Sequence, residues 1–145
     1  MAFRRPGSDA KIRLLSGVAL FMPCAKHELK RIAALVDEVE APEGKTLAKE
    51  GESGSEFFVV VNGTATARRN GRKVATIGPG SFFGELALLD QGPRAATVTA
   101  DTDMQLLVLS SRAFFSLLDK NPSVSRRILS GMAERLRASE AAPTH

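Results

Sequence analysis

The stretch Phe57-Phe58-Val59-Val60-Val61-Asn62-Gly63-Thr64-Ala65-Thr66-Ala67-Arg68-Arg69-Asn70-Gly71-Arg72-Lys73-Val74-Ala75-Thr76-Ile77 decides the fold class. Its first five residues are aromatic or β-branched, types that fit a pleated surface. Asn62-Gly63 and Asn70-Gly71 are favoured two-residue hairpin turns, because Asn and Gly both accept a positive φ. The pair predicts short strands at 57–61, 64–69 and 73–77. Working outward, the same texture predicts strands at 45–49, 95–100 and 104–109. Short strands at regular spacing with turns between them imply an antiparallel barrel or jelly roll.

The flanks read differently. Between Asp9 and Val36 the apolar residues fall at helical spacing, with Leu29, Ile32, Ala33 and Val36 on one face. After Leu109 helical signals return: Ser110 and Ser111 can cap a helix over 112–118. Asn121-Pro122 then opens another, since proline suits the first helical position. That last helix sets Val124, Ile128, Met132 and Leu136 on one apolar stripe. The plan is therefore α+β and mainly β: N-terminal helices, a β-barrel or jelly roll, then two C-terminal helices. Residues 1–8 are expected to be a flexible N-terminus, 9–138 one domain, and 139–145 a frayed tail.

Composition limits the function classes. The 145 residues suffice for one domain, and 43% hydrophobic with 25% charged residues is ordinary for a soluble globular chain. The single Cys24 cannot form an internal disulfide, which fits a reducing, cytoplasmic setting. No apolar run approaches a membrane span, and no signal peptide is read. The net charge of +4 is mild, and Trp and Tyr are both absent, so nucleic-acid binding is not expected. His27 and His145 are too few for a clustered metal site, and no Walker loop or nucleophile elbow is present. The expectation is a chain without catalysis, metal or cofactor.

One segment interrupts the β texture: Gly78-Pro79-Gly80-Ser81-Phe82-Phe83-Gly84-Glu85-Leu86-Ala87-Leu88-Leu89-Asp90-Gln91-Gly92-Pro93-Arg94-Ala95-Ala96-Thr97-Val98. A helical turn over 85–89 would aim free backbone N–H groups past Gly84, an arrangement suited to an anion. Gly84 permits close approach to the backbone. Arg94 can fork two hydrogen bonds onto a phosphate. Glu85 conflicts with a bare anion, but not with an elongated ligand that puts a hydroxyl on Glu85 and its anion on Arg94. A ribose phosphate has that form.

In order, Phe83-Gly84-Glu85-Leu86-Ala87-Leu88 and Pro93-Arg94-Ala95-Ala96-Thr97-Val98 resemble the phosphate-binding cassette of cyclic nucleotide-binding domains. The match is especially close to regulatory subunits of cyclic AMP-dependent protein kinase, and the helix–barrel–helix order is similar from about Asp9 to Ala138. The resemblance implies a double-stranded β-helix jelly roll with the ligand inside it. It implies that Glu85 takes the ribose 2′-hydroxyl and Arg94 the cyclic phosphate. Amides around Leu86, Ala87 and Ala95 would bind the same phosphate, and Gly84 would leave room for the sugar. Phe83, Ala96 and Val74 join the implied ligand contacts. Met132, Arg135 and Leu136 are the implied lid over the base. Ala95 lacks the hydroxyl that domains favouring cyclic GMP often carry there, so cyclic AMP is the expected ligand and cyclic GMP a weaker one.

Two other readings stay open. A degenerate pocket could serve as a protein interaction module, although Glu85 and Arg94 are both present. The chain could also be a sensor piece of a larger channel or regulator. It ends soon after Ala138, which leaves no length for a DNA-reading helix-turn-helix, and Met1 favours a stand-alone sensor. The downstream effector and any self-association are not specified by the residues.

Overall fold

A computed structural model describes residues 3–141. Helix α1 (Ser8–Ser16), a 3-10 turn (Ala19–Phe21) and α2 (Lys26–Ala33) precede the strands. Strands β1 (Asp37–Ala41), β2 (Thr46–Ala48), β3 (Glu56–Asn62), β4 (Ala65–Arg69), β5 (Arg72–Ile77) and β6 (Phe82–Phe83) follow, then α3 (Ala87–Asp90). Strands β7 (Thr97–Ala100) and β8 (Met104–Ser110) lead to α4 (Ser111–Lys120) and α5 (Pro122–Ala141).

The strands form two four-stranded antiparallel sheets, ordered β1-β8-β3-β6 and β2-β7-β4-β5, a jelly-roll sandwich. Period-two alternation explains why β3 is an unbroken apolar run. Phe57 and Val59 face the helices and join Phe21, Ile32, Leu107, Leu109, Phe114 and Val124 in one core. Phe58 and Val60 face the other way, into a second core between the sheets with Ala65, Ala67, Val98, Leu106 and Val108. Phe21 holds the first core together by edge contact with Phe57 (5.9 Å between centroids) and by tilted contact with Phe114 (5.8 Å).

The two Asn-Gly turns part company. Asn70-Gly71 is a true hairpin: Arg69 pairs with Arg72, and both turn residues have positive φ (53° and 78°). Asn62-Gly63 corrects the expectation, because β3 pairs with β8 and β6, not β4. Gly63 (φ 91°) instead carries the chain from one sheet to the other, against Met104 and the Asp103 carbonyl.

At the N-terminal end the Phe3 amide donates to Glu40, Arg5 pairs with Glu38, and Gln105 donates to the Arg4 carbonyl. Helix α5 continues to Ala141, past the expected end at 138, while residues 142–145 lie outside the described range. The caps follow expectation at α4, where Ser110 Oγ accepts the Ala113 amide at 3.2 Å. The apolar stripe of α5 is buried at Val124 and Ile128 but exposed at Leu136 (63%).

Candidate functional site

A cavity of about 440 Å³ opens between the sheets on the cassette side. Its floor is made of small residues, Ala48, Ala67 and Ala96, with Val98 and Ile77 beside them. Alanines facing inward from β2 and β4 leave room that larger side chains would fill. The rim is the cassette itself: Phe83, Gly84, Glu85, Leu86, Ala87, Arg94 and Ala95. Eight residues expected at the site, these seven and Ala96, line one volume.

Arg94 is held from both its backbone and its guanidinium. Its amide donates to the Glu52 carbonyl (2.8 Å) and its carbonyl accepts from Gly51 (2.9 Å). Next to it, the Gly54 amide donates to the Gly92 carbonyl at 3.1 Å, and Pro93 bridges to Ser53. Arg94 Nη2 donates to the Glu56 carbonyl at 2.9 Å, and the guanidinium carbon lies 5.8 Å from the Phe58 ring centroid. Phe58 in turn stacks on Phe83 at 4.6 Å, so two rings buttress the cation. Burial pulls the Arg94 pKa below its ordinary value, with Glu56 acting in the opposite sense. A half-buried guanidinium with one N–H group engaged keeps further N–H groups for an anion.

Two glycines make that placement possible. A Cβ at Gly54 would overlap Arg94 Nε and Cζ, and one at Gly84 would lie 2.5 Å from Arg94 Nη1. Gly84 also has φ 81°, so glycine there serves both the turn and the guanidinium.

Glu85 is the other charged group of the rim. Its Oε1 is buried and accepts no hydrogen bond among the described residues. Arg135 Nη1 of α5 lies 3.6 Å from that oxygen, close enough to balance charge but too far to bond it. A buried carboxylate oxygen without a donor is costly, and an N–H or O–H donor placed there would relieve it.

The short helical turn is Ala87–Asp90, with Leu86 as its cap, one to two residues later than expected. The Ala87 amide is already used, donating to the Gly84 carbonyl at 3.1 Å. Among the described residues the Leu86 and Ala95 amides donate to no protein group.

Three expected contacts lie elsewhere. Val74 is half-exposed on β5 and does not line the cavity, since an irregularity at Ala67/Arg68 leaves it unpaired in the ladder. Met132 packs against the helical core, and Leu136 is exposed; neither reaches the cavity. Of the three lid candidates, Arg135 alone is tied to the rim, through Glu85. The sequence reading missed Gly54, Phe58 and Ala67. The Gly51-Glu52-Ser53-Gly54 run is a turn signal in the chain, but nothing local pairs it with Arg94.

Residues 38–121 match the model of the cyclic nucleotide-binding domain family, from β1 to the end of α4. The chain belongs to that family. It is 36% identical over 115 residues to a cAMP-dependent protein kinase regulatory subunit of Aspergillus niger, covering 78% of this chain and 28% of that one. It is 32% identical over 139 residues to the Pycsar effector protein XpPycTIR of Xanthomonas perforans, covering 94% and 46%. A solved N-terminal domain of a transcriptional regulator from Streptomyces coelicolor A3(2) superposes with a TM-score of 0.81 at 34% identity, covering 90% and 94%. This cyclic nucleotide-binding domain spans less than half the length of those two curated relatives.

Proposed function

We propose that the domain is a non-catalytic sensor that binds cyclic AMP in the cassette cavity. The observation that carries this is the orphaned Glu85 Oε1 in the same cavity wall as the half-buried Arg94 guanidinium. A ribose cyclic phosphate supplies both missing partners at once: its 2′-hydroxyl donates to Glu85, and its phosphate accepts from Arg94 and the Leu86 and Ala95 amides. The Phe58–Phe83 stack keeps Arg94 from swinging away when the site is empty. That preorganisation lowers the ordering cost of binding.

Arg135 links the cavity to α5. A hydroxyl that donates to Glu85 changes the group that Arg135 faces at 3.6 Å, so the occupancy of the cavity is felt at α5. Binding shifts the helix only by as much as the ligand favours one position of it over another. Ala95 offers no side-chain hydroxyl to a guanine amino group, which supports cyclic AMP over cyclic GMP. Catalysis, metal and cofactor have no part in this reading. No helix of the described residues is long and apolar enough to cross a membrane.

The test is calorimetric. Glu85→Gln is expected to weaken cyclic AMP while leaving 2′-deoxy cyclic AMP nearly unchanged, a difference of about tenfold for one charge-assisted hydrogen bond. Equal losses for both ligands would remove the hydroxyl from Glu85.

A further inference from the structure

Strand β5 is the free edge of the sheet β2-β7-β4-β5, and its residues Arg72 to Thr76 are all exposed. The hairpin it forms with β4 carries four cations in six residues: Arg68, Arg69, Arg72 and Lys73. The register sets like against like, with Arg68 opposite Lys73 and Arg69 opposite Arg72. Like charges directly across a ladder destabilise it. None of the four forms an ion pair among the described residues. A single lysine suffices to guard an edge against stray pairing; four cations in facing pairs do more than guard it.

The tip is fixed in place. Arg69 Nε donates to the Ala95 carbonyl at 3.0 Å, and the Asn70 amide donates to Glu50 Oε1 at 3.0 Å. By strand alternation the Arg68/Lys73 pair lies on one face of the ribbon and the Arg69/Arg72 pair on the other. A flat lipid surface would meet one face at a time. Strands β4 and β5 hold no aromatic side chain for base stacking. A peptide laid along the edge of β5, however, alternates its own side chains between the two faces and takes backbone hydrogen bonds from the edge.

We propose that β5 and its basic hairpin are a docking edge for an extended acidic segment of a partner protein, added as a further strand. Val74, half-exposed on the same strand, gives that segment an apolar contact. The site lies outside the cavity and meets its rim through the Arg69–Ala95 hydrogen bond; the proposal does not rest on the cavity binding a nucleotide.

The probe is a labelled peptide, Glu-Glu-Val-Glu-Glu-Val-Glu-Glu, titrated with the full chain by fluorescence anisotropy. A second peptide replaces both valines by proline, which keeps every charge but cannot donate to the ladder. The valine peptide is expected to bind about tenfold or more tighter than the proline one, and the double variant Arg72→Glu/Lys73→Glu to lose about tenfold or more with its circular dichroism unchanged. Equal binding of the two peptides, no binding of either, or tighter binding to a single-stranded oligonucleotide or phosphatidylserine vesicles would overturn the proposal.

Discussion

Gly54 brings no side chain to the cavity, yet a Cβ on it would occupy the space of the Arg94 guanidinium. Its role is to leave that space empty. Gly54→Ala is expected to push the guanidinium off the phosphate position and weaken cyclic AMP binding by about tenfold or more. In an Arg94→Ala background the same change should cost nothing further, because the group it displaces is gone. Calorimetry on the four proteins of that cycle checks it; an equal loss in both backgrounds would show that Gly54 acts through the loop and not through Arg94. At this scale the sequence shows one half of the site. Glu85 and Arg94 stand in one motif whose order can be read directly. Gly54 and Phe58 reach Arg94 only through the fold: the loop of Gly54 is closed on Gly92 by one hydrogen bond, and Phe58 is aimed inward by the alternation of β3.

Helix α5 is fastened to α2 by a buried carboxylate. Glu28 is fully buried and accepts from the Ala25 amide (2.8 Å), the Ser123 hydroxyl (3.0 Å) and Arg127 Nε (2.9 Å). Burial alone would raise its pKa, but the Ala25 and Ser123 bonds, with Arg127 and His27, outweigh it and hold the group below its usual 4.5. The folded state thus favours the ionised form. That stability is present above the unfolded pKa and is lost as pH falls through the depressed folded value. Glu28→Gln is expected to cost about 1–3 kcal/mol at pH 7. Thermal melts at several pH values should show the gap between wild type and variant closing below pH 4.5; a gap independent of pH would contradict the ion's role. Elements were legible where a local signal is strong, as at Ser110 before α4 and Asn70-Gly71 between β4 and β5. Strand β1 was not, because Asp37, Glu38 and Glu40 give it a polar texture. Asn62-Gly63 was misread because a hairpin turn and a turn between sheets look alike in sequence. What separates them is the Asp103–Met104 backbone packed against Gly63, residues far along the chain.

For the whole molecule, the order of helices, strands and helices was legible from changes in periodicity, but the division into two sheets was not. That division depends on β8, which enters between β1 and β3 from the far end of the strand region. The cavity follows from it. Strands β2, β4 and β7 supply Ala48, Ala67 and Val98 to one wall, and the cassette supplies the rim opposite. Helix α5 crosses the turn before α2 where Gly131 meets Pro23, so its N-terminal half is anchored while the half carrying Arg135 and Leu136 is exposed. A helix anchored at one end and tied to the rim by one ion pair is a suitable output for a ligand-driven shift.

The most direct test is isothermal titration of the full chain, freed of carried-over nucleotide, with cyclic AMP and cyclic GMP, beside a folded Arg94→Ala variant. The account predicts saturable one-to-one binding, tighter for cyclic AMP, and a loss of about 2–4 kcal/mol on removing the Arg94 guanidinium. Heat from neither nucleotide, or unchanged affinity in the Arg94→Ala variant, would contradict it.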